Sequence, residues 1–408
     1  MRSSTRYDWR VLLFLIVLPV SSLGCQASQL ISNQYFNEID AAILEAIETG
    51  ALPGAVVVIT HHGKTVYRKA FGDRSLEPVV EPMTVETIFD LASMTKVIAT
   101  APSVMALMDD GEIHLHDPVS DYIPGFEQFG KTEITIAHLL THVSGLRPDF
   151  PLEDEFEGFD IAIDRATRER PESMPGQQFV YSDINFLLLG AIVEEVSGQS
   201  LDVFSQRRIF EPLGMADTLF LPSRDMRGRI APTEACGRLA WPCGGPNAEM
   251  LRGTVHDPTA RRMGGVAGHA GLFGTADDLA LFGAMMLGMG RIAPDGPVVL
   301  LSHTVARMTT SATPPHLDES RGLGWDIDSL FSSNRGDLFS DRSYGHTGFT
   351  GTSIWIDPET STVVVFLSNR VHPDGDGNVN ELRGRVATLA AAAVTGVQPT
   401  GANSSTSN

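Results

Sequence analysis

Residues 33–50, NQYFNEIDAAILEAIETG, place Phe36, Ile39, Ile43, Leu44 and Ile47 three and four positions apart. That spacing gathers apolar side chains on one helix face, and Gly50 supplies the stop. GAVVVIT and KTVYRKAFG follow, joined by a His-His-Gly turn, and predict a β-hairpin. Towards the other end, GTSIWIDP and STVVVFLSN flank the turn residues Asp357–Thr360 and predict two more strands, and ELRGRVATLAAAAV predicts a closing helix. Between about 85 and 335, helical and loop patterns dominate. Strands at both ends with a helix-rich middle predict one sheet assembled from the two termini. The sheet domain would comprise 30–84 and 336–396, with 85–335 inserted as a mostly helical domain. No internal repeat is visible. The tail 397–408 has few apolar residues and is expected to be disordered.

Composition narrows the class. The chain has 408 residues, 42% hydrophobic and 20% charged, a globular balance with a formal net charge of −20. Such a surface repels phosphates, so nucleic acid is excluded as a partner. The acidic residues are scattered, which reads as solubility rather than as a cationic partner. The N-terminus adds a destination. MRSSTRYDWR carries three arginines and precedes the apolar run VLLFLIVLPV and then SSLGC. The run is too short to span a bilayer and has the layout of a secretory signal over residues 1–24. Export to the periplasm is the expectation. SLGC also resembles a bacterial lipoprotein box in which Cys25 would be lipidated and anchor the chain to the membrane, although Ser22 stands where a Leu-like residue is usual. Cys236 and Cys243, in CGRLAWPC, read as a disulfide or as free thiols before they read as metal ligands, because His256 is the only nearby further ligand.

The candidate chemistry begins at FDLASMTKVIAT, where Ser93 and Lys96 share one face of a helix start. A serine hydroxyl needs a neighbouring base, and a lysine serves only if burial or nearby positive charge lowers its pKa. Arginine cannot serve, because it stays protonated. The only lysines are Lys64, Lys69, Lys96 and Lys131. A Ser-x-x-Lys is therefore expected about 0.3 times by chance, which gives its one occurrence weight. The competing reading makes Ser93 a helix cap and Lys96 a solvated charge. Two later stretches bear on the choice. In PGQQFVYSDINFLLLGAIVEEVSG, Tyr181 and Asp183 precede an apolar helix; in YGHTGFTGTSIWIDP, His346-Thr347-Gly348 leads into a strand with room beside the backbone.

In that order and at those separations, Ser-x-x-Lys, Tyr-x-Asp and His-Thr-Gly resemble the serine β-lactamase and penicillin-binding protein superfamily, in its class C β-lactamase-like, D-alanyl-D-alanine carboxypeptidase-like branch. LMDDGEIHLHDPVSDYIPGF, ITIAHLLTHVSGL, IFEPLGM and GHAGLFGTADDLALF extend the likeness over about 35–390. IAPTE, RGTVHDPTARRMGGVAGHAGLFG and FLSNRVHP resemble a periplasmic or lipoprotein sub-branch. The resemblance implies an α/β (α+β), β-lactamase/transpeptidase-like fold: an antiparallel sheet flanked by N- and C-terminal helices, with an inserted helical domain.

The resemblance also implies roles. Ser93 would be the acylated nucleophile, Lys96 the base or proton shuttle, and Tyr181 the second general base. Asp183, where the family often has Asn, would hold Lys96 or the substrate. His346 stands where strict β-lactamases have Lys and offers less charge to a substrate carboxylate. Thr347, Gly348 and Phe349 would line the substrate site, with the backbone N–H groups of Ser93 and Phe349 as the oxyanion hole. Asn369 and Arg370 match a stretch near the substrate carboxylate. No cofactor or metal is implied. The substrates would be D-alanyl peptides of peptidoglycan, β-lactams, or related esters and amides. The rivals are a short-chain carboxylesterase with no cell-wall role and a non-catalytic penicillin or peptidoglycan sensor. His138 and His142 in AHLLTH mimic a zinc pair but lack the adjoining glutamate and match a structural helix of the family. His256, Asp257 and His269 read as residues that order a glycine-rich loop.

Overall fold

The computed structural model describes Met1, residues 33–243 and residues 249–395. The signal segment with Cys25 and the tail 397–408 lie outside the described residues. The predicted first and last helices occupy Asn33–Glu48 and Asn380–Thr395. The hairpin strands are Gly54–His61 and Lys64–Ser75, joined through His62 and Gly63, both at positive φ (48° and 71°). Two such residues give the turn a twist that matches the flanking strands.

One eight-stranded sheet runs Glu81–Pro82, Lys64–Ser75, Gly54–His61, Thr362–Ser368, Ser353–Asp357, Tyr344–Thr347, Asp326–Asp328, Ser320–Arg321, with antiparallel neighbours. Ala55 pairs with Ser368 and His61 with Thr362, so the two termini meet at the centre of the sheet. The sheet also takes strands from 320–328, earlier than the position 336 expected from the pattern. Those strands are two and three residues long, too short to show a periodicity.

Alternate side chains divide the central strands between two cores. Val57, Ile59, Val364 and Phe366 pack with Phe36, Ile39, Val386 and Ala390 of the terminal helices. Val56, Val58, Val363 and Val365 face the helical body. Both faces are covered, which is why these strands read as unbroken apolar runs rather than as alternation. A smaller sheet of Phe89–Asp90, Leu272–Gly274 and Leu219–Phe220 lies in the helical part and delivers the chain to Ser93. Among the described residues, no helix is long and apolar enough to cross a membrane.

Cys236 and Cys243 are joined by a disulfide with Cα atoms 4.9 Å apart. Alkylation of the protein without reductant should leave both thiols unlabelled. Replacing both by serine should lower stability by roughly 2 kcal/mol, read as a fall in Tm. Full labelling of the unreduced protein would remove the bond.

Candidate active site

The strand Phe89–Asp90 leads through Leu91 to Ala92, whose φ of 46° is left-handed, a conformation uncommon for a residue with a Cβ. Ser93 sits next in the turn. The strain is held from several sides. The Ala92 N–H donates to Asp90 Oδ1 at 2.9 Å, and Asp90 Oδ2 accepts from the His256 N–H at 2.7 Å. The Thr95 hydroxyl donates to the Ala92 carbonyl at 2.7 Å and accepts from the Leu272 N–H at 3.1 Å. Strained backbone persists where its surroundings over-determine it. The turn has no side-chain cap, so the capping alternative for Ser93 has no bond to support it. Ser93 Oγ instead lies 3.0 Å from Lys96 Nζ.

Lys96 is fully buried. Its Nζ lies 2.6 Å from Asp183 Oδ1, donates to the His269 carbonyl at 3.2 Å and stands 4.9 Å from the centre of the Tyr181 ring. Burial pulls the ammonium towards losing its proton, but the Asp183 carboxylate, with help from Tyr181, outweighs it and holds Lys96 above the ordinary lysine value. The depressed basicity that sequence reasoning asked of this lysine is therefore absent at rest. Lys96 rests as an ammonium.

Asp183 opens the helix Asp183–Ser197. That helix start is tied down by the Asp183 N–H on the Pro148 carbonyl at 2.7 Å and the Ser182 hydroxyl on the Arg147 carbonyl at 2.6 Å. Asp183 thus spends its carboxylate on Lys96. The Ser182 N–H donates to His142 Nδ1 at 3.0 Å, and the His142 ring stacks on Tyr181 with centroids 4.4 Å apart. His142 lies beyond the short helix Ile136–Leu140 at φ 59°, so it shares no helix face with His138, which closes a cap with Thr135. Sequence reasoning set His142 aside as structural; here it backs the tyrosine.

The strand Tyr344–Thr347 forms the opposite wall. His346 Nδ1 lies 2.8 Å from the Thr347 carbonyl, which can only accept, so Nδ1 carries the hydrogen. Burial, then Arg321 and Lys96, push the imidazole well below its ordinary value, and it stays neutral. A Cβ on Gly348 would sit 2.4 Å from the Leu91 carbonyl and 2.2 Å from Thr352 Oγ1. Glycine is what lets this strand end close on the Ser93 turn. Phe349 is 62% exposed, stacks on His256 with centroids 5.7 Å apart, and has Arg370 Cζ 4.4 Å from its ring centre.

Ser93 faces two cavities. One, of about 170 Å³, is lined by Tyr181, Arg321, Phe331, His346 and Thr347 among others. The second, of about 500 Å³, lies towards Asp149, Asp183, Glu234, His256 and Asp257. Arg370 and Asn369 line neither. The Arg370 Nε–H donates to the Phe349 carbonyl at 2.8 Å, and Asn369 Nδ2 donates to the carbonyls of Arg74 and Pro232, each at 2.8 Å. Both side chains thus turn to backbone carbonyls behind the walls. His256 and Asp257, expected to order a loop, do so and also line the larger cavity: His256 Nε2 meets Glu234 at 3.0 Å, and Asp257 accepts from the Ala260 N–H at 2.7 Å. Asp90, Asp149, Arg321 and Phe331 went unseen in the sequence. Asp90 alone had a local cue, three residues before Ser93.

Carboxylate oxygens of Asp149, Asp183 and Asp257 lie within 4.8 Å of one another. Three ionised carboxylates so close repel, and each is dealt with separately. Asp183 pairs with Lys96; Asp257 pairs with His269 at 3.0 Å. Asp149 instead keeps its proton up to near-neutral pH, its pKa pushed up to about 7 by burial and by Asp257 and Asp183.

A serine hydroxyl that meets a lysine amine under a tyrosine, between two cavities, is the equipment of a serine hydrolase. The family comparison agrees: residues 39–389 match the Beta-lactamase family, and the chain belongs to it. A relative from Escherichia coli (strain K12), named "Putative D-alanyl-D-alanine carboxypeptidase", is 35% identical over 373 residues, 82% of each chain. Among solved structures, a class C β-lactamase from Rhodobacter sphaeroides matches with a TM-score of 0.67 at 24% identity, covering 87% of this chain and 98% of that one. EstCE1, a hydrolase with promiscuous acyltransferase activity, matches with a TM-score of 0.70 at 22% identity, covering 88% and 99%. These two show the fold.

The Asp149 proton has a readable consequence. Its folded pKa of about 7 exceeds the ordinary 3.8, so the folded state binds a proton that the unfolded chain releases, and stability falls as pH rises through that window. Asp149→Asn removes this dependence. Its Tm, relative to the unaltered protein, should rise between pH 4.5 and pH 7.5 in thermal melts; a constant difference would mean that Asp149 is ionised throughout.

Proposed function

We propose that this protein is an exported serine hydrolase that acts through an acyl-enzyme at Ser93 on D-alanyl peptides of the bacterial cell wall and on related amides and esters. The observation that carries the reading is the 3.0 Å contact between Ser93 Oγ and the buried Lys96 Nζ, in a turn strained at Ala92. Export rests on the basic and apolar N-terminal segment, and Cys25 is the proposed lipid anchor.

Ser93 Oγ attacks the acyl carbonyl, whose oxygen is received by the N–H groups of Ser93 and Phe349. Because Lys96 rests as an ammonium, it does not take the serine proton unaided. Tyr181, above the pair and backed by His142, is placed to accept that proton and relay it to the departing nitrogen or oxygen, while Lys96 stabilises the negative charge formed on the way. Water then releases the acyl group by the reverse path. The neutral His346 supports peptides and esters over efficient penicillin turnover, and for the same reason a short-chain esterase is the second reading.

A fluorophosphonate or a fluorescent penicillin should add covalently to the peptide containing Ser93, located by mass spectrometry. Lys96→Arg should abolish the adduct although it keeps the charge, since the larger planar guanidinium cannot place that charge between Ser93 Oγ and Asp183 in a fully buried site shaped to an ammonium. An adduct on another serine, or full labelling of Lys96→Arg, would overturn the assignment.

Tyr181→Phe should slow turnover by about 10²–10⁴, the range of a lost general-base step, with little change in KM. The measurement is steady-state kinetics on a D-Ala-D-Ala peptide, p-nitrophenyl acetate and a chromogenic cephalosporin. A loss under about threefold on all of them would take Tyr181 out of the relay.

A further inference from the structure

The two N–H groups given above to the oxygen of the acyl carbonyl, those of Ser93 and Phe349, each belong to a peptide unit with a carbonyl at its other end. For Ser93 that carbonyl is Ala92's, and for Phe349 it is Gly348's. Both peptides are trans and planar, so N–H and carbonyl point in opposite directions. Whatever grips the carbonyl therefore aims the N–H.

Both carbonyls are gripped. The Ala92 carbonyl accepts from the Thr95 hydroxyl at 2.7 Å and from the Thr95 N–H. The Gly348 carbonyl accepts from the Gly351 N–H at 3.2 Å and from Arg383 Nη2 at 2.9 Å. Arg383 comes from the closing helix, Asn380–Thr395, is 6% exposed, and lines neither cavity beside Ser93. Burial, then Arg370, pull its pKa down to about 9, which still leaves a cation at neutral pH. Its Nε has no hydrogen-bond partner, and among the described residues no carboxylate pairs with it. A buried cation so sparsely paired is costly, and the acceptor its guanidinium meets is the Gly348 carbonyl.

The rest of the turn is fixed as well. The Arg370 Nε–H donates to the Phe349 carbonyl at 2.8 Å, the Thr350 hydroxyl to the Asp90 carbonyl at 2.7 Å, and the Thr352 hydroxyl to the Leu91 carbonyl at 3.1 Å. The last two bonds reach the segment just before Ser93, so both peptide units stand in one frame. The Phe349 N–H has no acceptor among the described residues, and Phe349 lines both cavities.

We propose that Arg383 is a positioning residue for acyl transfer, which fixes the Gly348–Phe349 peptide and strengthens its N–H as a donor to the forming oxyanion. The inference rests on the acyl-enzyme reading and adds to it a residue that touches no substrate. A hydrogen bond from a charged donor is roughly twice as strong as a neutral one. The peptide it polarises passes part of that strength to the bond made at its other end.

Arg383→Met keeps an unbranched side chain but removes the donor and the charge. Rates are counted per Ser93 titrated with a fluorophosphonate, so unfolded material does not enter. With p-nitrophenyl acetate, kcat should fall roughly 10- to 100-fold, less than the loss of a whole oxyanion-hole donor, and kcat/KM should fall alike. The second measurement is the phosphorus NMR resonance of the phosphonylated Ser93, whose P=O occupies the oxyanion position. In Arg383→Met it should move towards the position it takes in the same adduct unfolded in urea. Arg383→Lys keeps the charge and should lie between the two proteins in both measurements; it decides the matter if the Met variant does not fold. An unmoved resonance, or a loss confined to KM, with Ser93 still modified, would overturn the inference and leave the acyl-enzyme reading standing. An unaltered protein that takes no fluorophosphonate on Ser93 would overturn both.

Discussion

Lys96 carries its ammonium with no contact to solvent, and the site is arranged around that charge. A buried charge is tolerated only when it is paired and hydrogen-bonded. Asp183 supplies the counter-charge at 2.6 Å, and Ser93 Oγ and the His269 carbonyl lie at 3.0 and 3.2 Å. Each of these groups comes from a different part of the chain, so the cluster exists only once the helical part has closed over the Ser93 turn. The pairing brings its own difficulty, since Asp183 lies beside Asp149 and Asp257. The structure resolves it by giving Asp257 a histidine partner and by raising the pKa of Asp149. The acidity of the larger cavity thus follows from keeping one lysine charged.

The smaller cavity shows the opposite sign. His142 and His346 are both pushed well below their ordinary values, by burial first and then by Arg321 and Lys96. Here two neutral imidazoles lie in a field set by two cations, with Asp326 as the carboxylate on this side, while Asp149, Asp183 and Asp257 gather on the other. Ser93 lies between them, so an acyl donor that differs in charge at its two ends has one favoured orientation. Electrostatics of this kind orients a substrate more than it tightens it.

What could be read from the sequence was what local pattern carries. The first and last helices, the hairpin and the two C-terminal strands fall at their expected places because 3.6- and 2-residue periods and turn residues mark them. Ser93 and Lys96 stood out because lysine is scarce in this chain, and Tyr181 came with the family resemblance. His142 and Arg321 were not, because what makes them part of the site is proximity across long sequence separations. Nothing near Arg321 distinguishes it from the chain's many other arginines. The motif placed Asn369 and Arg370 close to the site, and there their side chains turn to backbone carbonyls.

A lysine at position 346 would be hard to combine with this arrangement. Its ammonium would enter a buried wall that already faces Arg321 and Lys96, and like charges in a low-dielectric site repel strongly. Moving the cation back to Arg321 lets Asp326 hold it at 3.3 Å, with the hydroxyls of Ser329 and Ser332 holding Asp326 in turn. The cost is reach: a guanidinium fixed between Tyr181 and Phe179 cannot swing into the cavity as a flexible lysine could. Histidine on the strand and arginine behind it therefore depend on each other, and exchanging either alone would leave the wall with too much positive charge or too little.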